Sequence, residues 1–464
     1  MILFVHRKDL RVTDMPAFAY IARTGLPSLH LFILDPAILN AERARAHSGL
    51  RFLGLLARLQ SLYRHHGQTL NLVCGTPEEI VPQIALVHEA TEVVFHRDNT
   101  PYARHRDTSI HETLHRLGIP LTTISDQPLA DPEELHRYAG RQSPYKVFTP
   151  FYRKWSEFVH TYFQPPVTTR LADLRTLVLD ESIRQRYAPP YSLERFRGDV
   201  RLEAPEERLE RFIADKLPDY AQRRDSYADD ATSGLSGYIN SGSLSVRTVC
   251  GKLLGEPDFE PWRRQLAWRD FYLYQSVFDP LFFEYEHYYD LSGLGDRHFE
   301  AWRKGRTGIP IVDAAMTQLN ETGSMPNRLR MVTAMFLTKN LLAPFTLGEQ
   351  TFRMMLTDAD NVLNRGGWLW SASLGYDAAP YFRIMNPVTQ SETWDPSGEY
   401  IRRWLPGQRG LSDRDVHRPL PHAVVDLKAS RARAIEVYKR LIAEARARIG
   451  VPDGQPGSGD SADE

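Results

Sequence analysis

The chain has 464 residues, 42% hydrophobic and 25% charged, a globular composition whose length calls for two or three domains. Its 57 Lys and Arg against 58 Asp and Glu leave a net charge of −1, which excludes coating nucleic acid by bulk charge but not a local basic patch. Two cysteines, Cys74 and Cys250, exclude a disulfide framework, a four-thiolate zinc site and an iron–sulfur cluster, and no metal is expected. The opening MILFVHRKDL turns charged too early for a secretion signal and reads as a buried strand. No run approaches the roughly 20 apolar residues of a membrane span. A cytoplasmic protein in a reducing compartment, without membrane association, is expected.

Across residues 1–127 short apolar runs alternate with amphipathic stretches. They predict strands at Ile2–His6, Leu29–Leu34, Leu70–Cys74, Val93–Phe95 and Leu121–Ser125. Helical periodicity between them is clearest over Ser48–His66. That alternation implies an α/β domain with a doubly wound parallel sheet. The first strand leads into HRKDLRVTD, without G-x-G-x-x-G, and the chain has no G-x-x-x-x-G-K-[ST] phosphate loop. Prolines then accumulate over 128–195, which reads as an interdomain linker with one helix around Phe151–Phe163. Strand signals nearly vanish over 196–450. Helical patterns at Glu260–Val277, Ile311–Leu319, Asn327–Leu342 and Leu347–Met355 predict a second, all-α domain. Residues 451–464, VPDGQPGSGDSADE, read as a disordered tail.

Three segments of the helical region carry chemistry. In WRRQLAWRDFY, Trp262, Gln265, Arg269 and Tyr272 fall at i, i+3, i+7 and i+10, one helix face. Indole, amide, guanidinium and phenol on one face suit a polar aromatic ligand; interhelical packing with a few buried hydrogen bonds fits equally well. In NRLRM, Asn327, Arg330 and Met331 share a face, and DADNVLNRGGWLW then supplies Asp358, Asp360, Asn364, Trp368 and Trp370. The glycine pair before the two indoles lets backbone approach a flat ligand. Upstream, Tyr220 precedes a Ser/Gly loop with Thr232, Ser233 and Ser236 that opens a helix, a natural phosphate site. Together these segments point to a nucleotide cofactor.

Read in order, HRKDLRVTDMPA, WRDFY, Gly308–Met316, NRLRM, Asp358–Asp360, GGWLW, Asp377–Arg383 and the WLP ending at Pro406 resemble the photolyase/cryptochrome flavoproteins, and within them the class I cyclobutane pyrimidine dimer photolyases. The resemblance implies an N-terminal α/β domain able to hold an antenna pigment of folate or deazaflavin type, and a C-terminal helical domain holding bent FAD. By matched motif it puts Tyr220, Thr232, Ser233, Gly234, Leu235 and Ser236 on the FAD phosphates. Trp262, Gln265, Arg269 and Asn327 line the cavity, and Arg330 with Asp358, Ala359 and Asp360 lies beside the isoalloxazine. Asn364 faces flavin N5.

For DNA, the same resemblance places Trp268 and Trp370 against a flipped-out dimer, with Asn327 and Met331 on the pocket floor and Arg224, Arg328 and Arg383 on flanking phosphates. The implied activity is light-driven dimer repair by electron transfer from reduced FAD. The implied partner is UV-damaged DNA, met by a monomer with no obligate protein partner, associated with the nucleoid through DNA. A (6-4) photoproduct photolyase and a cryptochrome photoreceptor are the alternatives. Several positions depart from the pattern. Gln265 replaces a usual carboxylic acid, Gly234 a common Arg, and Ser324 a common aromatic. Phe345 interrupts the usual tryptophan electron-transfer chain and Glu284–Ala301 holds no outer Trp, which leaves Trp368 with Tyr288, Tyr289 and Trp302 as candidate substitutes.

Overall fold

A computed structural model describes residues 1–196, 203–254, 256 and 259–449, apart from the side chains of residues 287, 446, 448 and 449. The tail expected over 451–464 lies outside the described residues. Contacts divide the chain into two compact units. The first comprises Met1–Ala139, Trp155–Pro218 and Ser233–Asp270; the second comprises Gly140–Lys154, Asp219–Thr232 and Phe271–Glu464. They are interleaved, whereas the boundaries expected near 127 and 195 divide the chain linearly.

In the first unit all five expected strands form: β1 (Ile2–His6), β2 (Ser28–Leu34), β3 (Asn71–Cys74), β4 (Glu92–His96) and β5 (Leu121–Ile124). They make one parallel sheet in the order β3-β2-β1-β4-β5, the doubly wound arrangement. Each intervening helix follows from its own sequence, as with Pro77–Val87, which starts on Pro and carries Glu78 and Glu79 in its first turn.

The two faces of the sheet differ. One is apolar, with Leu3, Val5, Leu29, Leu31, Val93 and Phe95 packed against Ile80, Ile84, Ile110 and Leu114. The other holds a buried polar chain. Ser28 Oγ lies 2.9 Å from His30 Nε2, His30 Nδ1 2.6 Å from the Tyr63 hydroxyl, and that hydroxyl 2.6 Å from His6 Nε2. His6 Nδ1 is 2.9 Å from Asp9 Oδ1, and Asp9 Oδ2 is 2.5 Å from His96 Nδ1.

Buried charge explains why 233–270 joins this unit. Arg11 clamps Asp126 through Nη1 at 3.0 Å and Nη2 at 2.6 Å. Arg247 reaches the same carboxylate at 2.8 Å and Asp14 at 3.2 Å. No local periodicity reports such contacts.

The second unit is helical. Its main helices include Pro310–Thr322, Asn327–Met335, Phe345–Met355, Asn361–Ser371 and Leu427–Ile449. They surround a core containing Trp302, Met316, Phe336, Phe345, Trp368, Tyr400 and Tyr438. The single helix expected over Asn327–Leu342 needs correction: α-helix ends at Met335 and a π-helical turn runs Phe336–Asn340. On that turn Lys339 is buried, donates to the Ala372 carbonyl at 2.9 Å and sits 3.2 Å from the Tyr438 ring centroid. Burial pushes its ammonium well below the usual lysine range. Among the described residues no helix is long and apolar enough to cross a membrane.

Candidate active site

In the first unit the Ser/Gly loop runs into the short helix Ser236–Asn240. Leu235 is fully buried and anchors the loop, while Gly234 and Ser236 are exposed. Gly234 has φ +61°, the left-handed region that glycine enters without strain. The expected Glu260–Val277 helix forms as Glu260–Phe278. Protein contacts account for part of its singled-out face. Trp262 is 5% exposed and packs on Phe212 and Phe259, with centroids 5.6 and 6.3 Å away. Arg269 donates from Nη1 to the Gln127 carbonyl at 2.6 Å and from Nη2 to Gln127 Oε1 at 2.7 Å. Its two terminal nitrogens thus have a protein partner far away in sequence. Gln265 and Trp268 are half-buried, and among the described residues the Gln265 amide makes only a long 3.5 Å contact to the Pro261 carbonyl.

Asp270 within WRDFY was missed as a positioning residue. Its Oδ2 accepts from Leu129 N at 3.0 Å, Ala130 N at 2.9 Å and Trp155 Nε1 at 2.9 Å. Burial pushes the carboxyl up to about 6, against the pull of Arg269 and these donors.

In the second unit Arg330 donates to Asp358 Oδ2 at 3.0 Å and, through Nε, to the Met325 carbonyl at 2.9 Å. This fixes the guanidinium at the half-buried surface where Ala359 and Asp360 also lie. Asp360 caps the Asn361–Ser371 helix by accepting from Val362 N at 2.9 Å and Leu363 N at 3.1 Å. Asn364 donates from Nδ2 to the Glu349 carbonyl at 2.8 Å. Its Oδ1 has no hydrogen-bond partner among the described residues and remains as an acceptor. Arg365 holds Glu349 in turn, at 2.8 Å, and pairs with Glu286 at 2.7 Å. Neither Glu349 nor Arg365 was singled out by sequence; their role depends on a helix pairing that local pattern does not encode.

The glycine pair works differently from the expectation. A Cβ at Gly366 would lie 2.3 Å from the Tyr272 ring, so this glycine admits a tyrosine, not a flat ligand. Nothing lies within 4 Å of one at Gly367. An unexpected close approach occurs at Gly348, where a Cβ would lie 2.0 Å from the Trp368 ring. Trp368 is buried beside Phe352 and Trp302, with centroids 5.0 and 6.1 Å away.

Asn327 is exposed, and Met331 and Trp370 are half-buried. Tyr220 is buried below Arg224, whose guanidinium lies 5.9 Å from its ring centroid, and Thr232 is exposed. Arg328 is engaged by Asp225 at 2.7 Å and by the Trp394 ring at 4.5 Å, whereas Arg383 is exposed.

This donor set fits a flavin. Asn364 offers an oriented acceptor for a ring N–H, and the Arg330–Asp358 pair offers a neutralised polar surface. Comparison with known proteins agrees. Residues 2–169 match the DNA photolyase family and residues 262–449 match the FAD binding domain of DNA photolyase. The chain is 32% identical to the deoxyribodipyrimidine photo-lyase of Synechococcus sp., over 98% of this chain and 99% of that protein. It is 33% identical to that of Escherichia coli, over 93% and 97%. Among solved structures it is similar to a class III photolyase from Agrobacterium tumefaciens, with TM-score 0.82, 28% identity and coverage of 95% and 98%. It is also similar to a Synechocystis cryptochrome, with TM-score 0.81, 25% identity and coverage of 95% and 99%. With both halves matched and a third of its residues shared along nearly its whole length, the chain belongs to the photolyase/cryptochrome family and carries its FAD-binding domain.

Proposed function

We propose that this protein splits cyclobutane pyrimidine dimers in UV-damaged DNA under blue light. The observation that carries the reading is similarity to deoxyribodipyrimidine photo-lyases along nearly the full length, at 32% and 33% identity. Bound reduced FAD would supply the light-driven one-electron chemistry that opens the dimer. The chain's own task is to bind, orient and exclude water. Tyr220, Thr232 and Ser233–Ser236 hold the phosphates; Trp262 and Arg269 brace the helix that presents Gln265. Asn327, Arg330, Asp358, Ala359, Asp360 and Asn364 meet the flavin ring.

Trp268 and Trp370 stack on the extruded bases, beside Asn327 and Met331, and compensate the lost stacking. Arg224 and Arg383 hold flanking phosphates, with Arg328 steadied between Asp225 and Trp394 as a secondary contact. The N-terminal domain, 1–127, serves as the antenna domain, and 196–450 as the catalytic domain. The protein works as a cytoplasmic monomer on nucleoid DNA.

The test is repair of a defined thymine-dimer oligonucleotide in light and in dark, with a (6-4) lesion in parallel. Light-dependent repair of the dimer alone is expected. Trp268→Ala and Trp370→Ala should each weaken lesion binding by about 1–3 kcal/mol. Repair of only the (6-4) lesion, or of neither, overturns the proposal.

A second expectation concerns Asn364. Removing its acceptor in Asn364→Ala deletes one hydrogen bond to the reduced ring, about 1 kcal/mol, and lowers the two-electron flavin midpoint potential on the order of 20 mV. Spectroelectrochemical titration checks this; an unchanged potential counts against the N5 placement.

A further inference from the structure

Arg208, which no sequence motif singles out, reaches the Ser/Gly loop from the Pro205–Asp215 helix. That helix buries Leu209 and Phe212 and leaves Arg208 half-exposed. Its Nε donates to the Ser233 carbonyl at 2.8 Å. The guanidinium then fills the space beside Gly234. A Cβ there would lie 2.0 Å from Nη2, 2.7 Å from Cζ and 2.8 Å from Nε. A side chain at 234 would push the guanidinium out of this position, so glycine at 234 leaves the place open to Arg208.

The rest of the group is partly satisfied. Nη1 lies 3.4 Å from Glu203 Oε2, a carboxylate that also pairs with Arg211. Nη2 has no hydrogen-bond partner among the described residues, and the side chain is 31% exposed. A planar cation is thus pinned at Nε by a loop carbonyl and holds Nη2 beside Gly234, which is exposed. Loop hydroxyls and amides are neutral donors; a diphosphate carries negative charge that such donors do not balance. A guanidinium fork does, with charge-assisted bonds of matching geometry.

We propose that Arg208 is a phosphate-binding residue of this chain, donating from Nη2 to the diphosphate of FAD. The proposal rests on the reading that Ser233–Ser236 hold that diphosphate. Arg208 positions the cofactor and takes no part in electron transfer.

The test compares full-length wild type, R208Q and R208K, with FAD and riboflavin as probes. Dissociation is read from flavin fluorescence on dilution at several salt concentrations. R208Q is expected to raise the Kd for FAD on the order of tenfold, the loss of one charge-assisted hydrogen bond, and to flatten its salt dependence. R208K, which keeps the charge without the fork, should lose less. Riboflavin, which has no phosphate, should bind all three alike, with melting temperatures unchanged. An unaltered Kd for FAD, or equal weakening of FAD and riboflavin, overturns the proposal and leaves Arg208 as a loop brace. Wild type that holds FAD no more tightly than riboflavin overturns the phosphate-loop reading itself, and the proposal with it.

Discussion

Asp126→Asn is expected to cost about 3–5 kcal/mol of stability, because it neutralises the carboxylate shared by two buried guanidinium groups, leaving Arg11 without its ion-pair partner and Arg247 with Asp14 alone. The side chain of Arg11 is 3% exposed and that of Arg247 10%, so water cannot replace the carboxylate. Against a typical total of about 5–15 kcal/mol, the loss should be visible in the first urea melt. The pH dependence has a definite sign. Burial pushes the Asp126 carboxyl up, but Arg11, His96 and Arg247 outweigh it and hold it far below the usual carboxylate range. A depressed folded value contributes stability above the unfolded carboxylate pKa of about 4, and that contribution disappears as pH falls below it. Wild type should therefore lose stability on acidification from pH 5 towards roughly pH 3 more steeply than the Asn variant. A loss below about 1 kcal/mol at pH 7, the worth of an ordinary surface pair, would show that the network is not needed.

Trp302→Phe is expected to slow photoreduction of the bound flavin on the order of tenfold or more, equivalent to about 1.4 kcal/mol of barrier. Phe345, in the position expected for the middle tryptophan, is buried and far harder to oxidise than indole. Trp302 instead meets Trp368 edge-to-face at 6.1 Å between centroids, with Nε1 donating to the Thr333 carbonyl at 3.0 Å. It is the nearest indole to receive the electron vacancy from Trp368. Tyr288 and Tyr289 gather on Tyr285, with centroids 6.1 and 6.3 Å away. Flash photolysis of oxidised protein with an external reductant checks the route. Repair by chemically reduced protein should be unaffected. Trp302→Phe that photoreduces at the wild-type rate, while Trp368→Phe does not, would send the route elsewhere.

What could be read in advance follows a physical division. The five strands were legible because a parallel sheet covered on both faces demands short continuous apolar runs such as ILFVH, set off by Gly, Pro and polar turns. Helices such as His47–His65 were legible instead from apolar residues recurring every three or four positions. Residue types that suit a flavin were visible in the NRLRM and DADNVLN segments, but not the contacts that orient them. Arg269 looked available until Gln127, from the end of the sheet domain, turned out to bind it. Gly348 gave no signal inside a helical stretch, although only glycine leaves room there for Trp368. Arg208 had none either, because its meaning depends on a loop brought to it by folding.

The polar chain beneath the sheet has a consequence for how the strands find their alignment. Hydrophobic burial alone is forgiving along a strand: leucine against valine scores nearly as well one pairing over as in place. Ser28 and His30 sit opposite Ile2 and Phe4, on the face reached by Tyr63. Sliding β2 by one residue would turn both onto the face packed with Leu3, Val5 and Val93, stranding buried polar groups at about 1–3 kcal/mol each. Sliding it by two would keep the face but carry His30 roughly 7 Å along the sheet, out of reach of the Tyr63 hydroxyl. The imidazoles therefore act as alignment pins, rejecting mispaired sheets that an oily interior would tolerate.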